Sequence, residues 1–252
     1  MRFYAEIRSW KWLLLPLLCG AIPSSTSAAI IADLTGDFTP ISFPAGWSYL
    51  RNTAVIGNAT DYTPLLWDAG QSAYDVTGSG FPAPGPNFTN IRPGGVSHPG
   101  RGTAQGDAFN GYLILAYTIQ PGEQGLVTLV NGSIRGNNPS GAGGASNGWD
   151  LRFYIGNSQQ GSSLIVPWSS ASAQFSQTFG QLGVGETIYV ALGPNGSFLF
   201  DGTVLGFQLD STPVPEPQTG YLIAFGLLAA GASRNKAAGA LRWRKKVSEI
   251  AG

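Results

Sequence analysis

The chain has 252 residues, and 14 Lys and Arg balance 14 Asp and Glu to a formal charge of zero. The balance is uneven, because from Ala29 to Thr212 five Arg and no Lys face eleven acids, a formal charge of −6 for that span. An acidic span with scattered Arg lacks the clustered positive charge that nucleic acid or an anionic membrane surface requires, so no nucleic-acid partner is expected. Cys19 and His98 are the only residues of their types, which excludes a zinc centre built on several Cys and His.

The N-terminus reads as a secretory signal. Arg2, Arg8 and Lys11 precede an apolar run over 12–22, and Thr26-Ser27-Ala28 supplies a small-residue cleavage site before Ala29. Residues 1–28 are therefore assigned to a signal peptide. Leu18 occupies the position where a small residue precedes a lipidated cysteine, so Cys19 is read as part of the apolar run. The exported remainder holds no Cys and must be stabilised by its core without disulfides.

Residues 29–212 read as one all-β domain. Strands are expected at 30–34, 53–56, 112–119, 126–134, 150–155, 163–168, 173–179, 187–192, 197–200 and 204–209, each bounded by Gly, Pro, Asn or Ser. Within 187–192, Ile188, Val190 and Leu192 share a face; within 173–179, Ala173, Phe175 and Phe179 oppose Gln174, Ser176 and Thr178. Pro194-Asn195-Gly196 is expected to form a hairpin turn, and Asn131-Gly132 either a second turn or a bulge in a longer strand. No sustained helical periodicity interrupts this pattern. The predicted fold is an antiparallel jelly-roll-like β-sandwich, flanked by the N-terminal signal helix and a C-terminal membrane helix. Residues 70–111 are rich in Pro and Gly and are expected to form a long ordered loop over one end of the sandwich.

Few residues in the domain carry obvious chemistry. His98 has no nucleophile-elbow motif near it and reads as a loop histidine bonded to backbone. Eleven acids supply possible pairs for glycoside hydrolysis, but their spacing places no two across a site. No cofactor is expected. Structural calcium has the best case among metals, with Asn195, Asp201 and Asp210 near the last turn, though those positions also suit turns. Sugar binding needs exposed aromatic faces beside amides and carboxylates. Trp47, Tyr49, Trp67, Trp149 and Trp168 are the aromatic candidates, each either a core residue or a stacking platform. Trp47 and Trp149, with Asn147 and Asp150 beside the latter, form the expected ligand set.

The tail spans 213–252. Val214-Pro215-Glu216-Pro217 precedes an apolar helix expected at 220–233, and a basic end over 234–246 contributes Arg234, Lys236, Arg242, Arg244, Lys245 and Lys246. Such a segment inserts with its basic end on the cytoplasmic side. Its uncharged core is shorter than the roughly 20 residues of a bilayer span, so Arg234 and Lys236 must snorkel. This order of motif, apolar run and basic end resembles the PEP-CTERM sorting signal of bacterial surface proteins. The resemblance implies an exosortase as partner, a transient inner-membrane intermediate, and delivery to the cell surface or extracellular matrix.

Pro44 to Tyr49, His98-Pro99-Gly100, Gly185 to Val190 and Gly193 to Gly196 resemble the lectin-like or carbohydrate-binding-module-like bodies of such proteins. The expected function is a non-catalytic surface protein associated with exopolysaccharide or biofilm, with carbohydrate as the expected ligand. The alternatives are a structural or adhesive protein without a sugar site and a secreted glycan-active enzyme.

Overall fold

The computed structural model describes residues 27–77, 89–137, 147–168, 172–197 and 202–213. Residues 1–26 of the expected signal segment and residues 214–252 of the expected tail, with Val214 to Pro217 and the basic residues 234–246, lie outside them. Among the described residues no helix is long and apolar enough to cross a membrane.

Strands form where short β-branched and aromatic runs meet turn residues. They are β1 (Ala29–Asp33), β2 (Trp47–Asn52), β3 (Tyr62–Pro64), β4 (Leu66–Asp68), β5 (Ala73–Asp75), β6 (Asn90–Ile91), β7 (Val96–His98) and β8 (Leu113–Thr118). The second half adds β9 (Gly125–Gly136), β10 (Trp149–Ile155), β11 (Ser158–Gln159), β12 (Leu164–Val166), β13 (Ala173–Leu182), β14 (Thr187–Gly193) and β15 (Thr203–Thr212). The first sheet runs β13-β9-β15-β7-β6-β5-β4, with β1 beside β15; the second runs β11-β10-β14-β8-β2-β3, with β12 beside β10. All pairings are antiparallel. From β8 onward the long strands alternate between sheets: β8, β10 and β14 belong to the second, β9, β13 and β15 to the first. This is a β-sandwich-like fold, and its residues belong to the compact unit Ser27–Pro213.

The core lies between the sheets. Trp47, Tyr49, Leu115, Tyr117, Trp149, Phe153 and Val190 enter it from the second sheet, and Val127, Leu129, Ile134, Leu205, Phe207 and Leu209 from the first. In β15 every second residue from Thr203 to Ser211 is buried, as a period-2 strand over a core requires. Strand β9 breaks that rhythm. Gly125, Val127 and Leu129 are buried, and after Asn131 the buried residues are Gly132, Ile134 and Gly136. Asn131 adopts φ 52°, and the ladder with β15 skips a residue between Ser133 and Val130. The Asn131-Gly132 pair is thus a bulge, which turns the second half of the strand back onto the core.

Two expectations need correction. Segment 53–56 is not a strand: Asn52 Nδ2 donates to the Ala54 carbonyl at 2.7 Å and draws the chain out of the sheet, leaving Val55 exposed. The strand instead occupies 47–52, where Trp47 and Tyr49 point inward. Segment 70–111 is not one continuous loop, since β5, β6 and β7 lie within it. Its described prolines do not interrupt them, because Pro93 starts a 3-10 turn at Pro93–Gly95 and Pro99 follows the last residue of β7, positions outside the ladder where no donor is lost. The Asn195-Gly196 turn forms, with φ 45° and 96° and Ser197 N donating to Pro194 O at 3.1 Å. Of the strand expected after it at 197–200, residues 198–200 lie outside the described residues. The next described strand, β15, lies in the other sheet, so the turn does not pair β14 with β15 as a hairpin.

Candidate functional site

At the end of the second sheet where β2 and β14 finish and β8 and β10 begin, segment 99–111 folds over the rim. Its neck is a backbone contact. Gly100 N donates to Gly111 O at 3.0 Å, and Gly111 N to Arg101 O at 2.6 Å. A Cβ on Gly111 would stand 3.0 Å from the Gly100 Cα, and one on Gly100 would stand 2.7 Å from Thr89 Oγ1. The two chain segments meet this closely because neither residue carries a side chain. A Cβ on Gly102 would collide with the Gly196 carbonyl, which instead accepts from Ala104 N at 2.8 Å. Gln105 Nε2 donates to Ser197 Oγ at 2.9 Å. The 194–197 turn therefore anchors the segment.

Asn52 ties the segment to the sheet from beneath. It is buried, and Nδ2 donates to Asn110 O at 2.9 Å as well as to Ala54 O, while Oδ1 accepts from Tyr112 N at 2.6 Å. One amide thus satisfies three backbone groups, one just after β2 and two just before β8, as a buried polar side chain must.

Between the segment and the sheet end lies a cavity of about 210 Å³ whose lining includes Arg51, Asn52, Thr89, Arg101, Asp107 and Phe109. Phe109 is half-buried and gives the cavity an aromatic surface. Arg101 Nε stands 3.4 Å from Asp107 Oδ2, and its Nη2 donates to Gln105 O at 2.8 Å. Burial pushes the Arg51 guanidinium below the usual arginine range. The cavity thus joins fixed hydrogen-bond donors, one carboxylate and an aromatic ring, the combination that polyhydroxylated ligands require.

The expected ligand residues are divided between core and rim. Trp47 and Trp149 are 3% and 0% exposed, so neither indole presents a face to solvent and the stacking role expected of them is corrected to packing. Trp47 Nε1 donates to Asp37 Oδ2 at 3.1 Å, and Trp149 lies 5.3 Å from Trp168, ring to ring. Tyr49 is also core, and Trp67 and Trp168 pack partly buried against it. Trp149 opens β10 only two residues after Asn147, and strand parity turns its ring inward. Asp150, next on the strand, faces the opposite side and is buried. Its Oδ2 accepts from Tyr112 Oη at 2.6 Å and from Arg152 Nε and Nη2 at 2.9 and 2.7 Å. Burial opposes the charge on Arg152, but these bonds and the Asp150 carboxylate outweigh it and raise the guanidinium above its ordinary range. Asn147 stays at the surface and exchanges hydrogen bonds with Asn195, bracing the turn that holds 102–105. Asn147 and Asp150 belong to the supports of this end, and the cavity lining is a different set.

His98 sits on β7, with Nδ1 donating to the Pro99 carbonyl. Burial pushes its imidazole below the usual range. Of the residues considered for calcium, Asn195 supports the turn, Asp210 lies on β15, and Asp201 is outside the described residues. Among the described residues no three acidic, His or Cys side chains gather as a metal group.

Sequence reasoning did not single out Arg51, Asn52, Asp107 or Phe109. The Pro/Gly-rich segment and the few arginines of a lysine-free domain were the available signals. Nothing local connects Arg51 to a segment fifty residues later. No family model matches the chain, and no curated protein matches it.

Proposed function

We propose that this chain is an exported, non-catalytic surface or matrix protein that binds exopolysaccharide in the cavity beneath segment 99–111. The carrying observation is that cavity, where half-buried Phe109 stands with Arg51, Asn52, Thr89 and Arg101 in about 210 Å³. The alternation of the long strands between sheets supports the jelly-roll-like form of the predicted sandwich. Among the described lining residues Asp107 is the one carboxylate, and Arg101 engages it, an arrangement that favours binding over two-carboxylate hydrolysis. Export and exosortase sorting are supported by the N-terminal signal and by Val214-Pro215-Glu216-Pro217 with its basic tail.

Two experiments separate these parts. The full chain, pulled down on the producing organism's exopolysaccharide, is expected to bind saturably, and Phe109→Ala to lose about tenfold in affinity, the loss of one stacking contact of about 1.4 kcal/mol. Unchanged binding by a folded Phe109→Ala variant removes the cavity from the account. For sorting, a Glu216→Ala, Pro217→Ala double variant is expected to retain the unprocessed mass and stay in the membrane fraction. Wild-type mass and location in that variant would sink the sorting assignment.

A further inference from the structure

Resting on the glycan reading above, we infer that the cavity beneath segment 99–111 selects an acidic sugar, a uronic-acid residue of a carboxylated polysaccharide, through Arg51 and Arg101. The charge distribution carries this. Residues 29–212 have a formal charge of −6 and five arginines, yet two of those five line one small cavity whose described lining holds a single acid, Asp107. The described lining is therefore net positive within an acidic domain. A neutral sugar gives no reason for that excess; a carboxylate does.

The donors are arranged for such a group. Arg101 spends Nε on Asp107 and one Nη2 hydrogen on the Gln105 carbonyl, and a guanidinium carries five N–H donors in a fixed plane. Its orientation is thus set while donors remain for a ligand. Arg51 is half-buried and reaches the same cavity from β2, where a second guanidinium adds positive charge and planar donors suited to a carboxylate. Phe109 supplies the apolar surface for the C–H face of the sugar ring. The volume of about 210 Å³ falls below the roughly 300–1,000 Å³ of pockets for drug-sized ligands. It suits one residue of a chain, with the rest of the polymer running outside.

The test is calorimetric titration of the full chain, kept soluble in mild detergent, with trigalacturonate, neutral galactotriose and sodium sulfate. Trigalacturonate is expected to bind about tenfold or more tighter than galactotriose, with affinity falling as salt rises. Arg51→Gln is expected to erase that preference. Asp107→Asn removes the internal competitor for Arg101 and is expected to tighten trigalacturonate binding severalfold, a gain that a misfolded variant does not produce. Equal binding of both trisaccharides, lost together in Phe109→Ala, overturns the acidic-sugar inference and leaves the glycan reading standing. Binding of neither overturns both. Displacement of trigalacturonate by equimolar sulfate marks a general anion site and overturns the inference, as does an unchanged or weakened affinity in Asp107→Asn.

Discussion

Asn52 shows how much of this end of the molecule hangs on one side chain. It is 3% exposed, and its amide serves Ala54 O, Asn110 O and Tyr112 N together. Asn52→Ala leaves three backbone groups unsatisfied in a buried site, and it is expected to destabilise the fold by about 3 kcal/mol. Denaturant midpoints measure the loss, and a variant as stable as the parent contradicts the role assigned here. In the sequence, Asn52 reads as an ordinary polar residue, because an amide on a strand has the same appearance whether it faces solvent or replaces a turn. Trp47 and Trp149 were misplaced for the converse reason. A Trp beside Gly-rich chain looks exposed, and only the strand register, fixed by pairs such as Trp149 with Val166 and Trp47 with Tyr117, turns each ring inward.

At the scale of elements, the bulge in β9 is the device that keeps one long strand facing the core. The strand changes parity at Asn131, so that Leu129 and Ile134 are both buried. Deleting Asn131 is expected to rotate residues 132–136 by one register, exposing Ile134 and driving Arg135 inward, at more than about 3 kcal/mol. Asn131→Gly keeps the extra residue and a tolerated positive φ, and should stay within about 1 kcal/mol. Thermal unfolding of the pair checks this, and a deletion as mild as the Gly variant contradicts it. Such elements were partly legible: the dipeptide announced a turn or bulge, and most long strands were announced by their alternation. The short strands β4 to β7 were not. Each contributes two or three residues, too few for a period to show, and Pro93 and Pro99 read as breakers although they fall outside the strands.

Across the whole molecule, the two ends of the chain carry the proposed address and the described middle carries the proposed binding surface. The all-β class was legible because β-branched and aromatic runs recur with turn residues between them. The cavity was not, because it assembles Arg51 from β2, Thr89 from before β6, and Arg101 to Phe109 from the rim segment. Only the closed sandwich brings these together. The central claim is that this rim binds glycan. Hydrogen–deuterium exchange of the full chain, with and without the native exopolysaccharide, tests it most directly. Protection concentrated at 99–111 and around Arg51 and Asn52 is the predicted result. Protection confined to the outer faces of the sheets, or none at saturating polysaccharide, contradicts it.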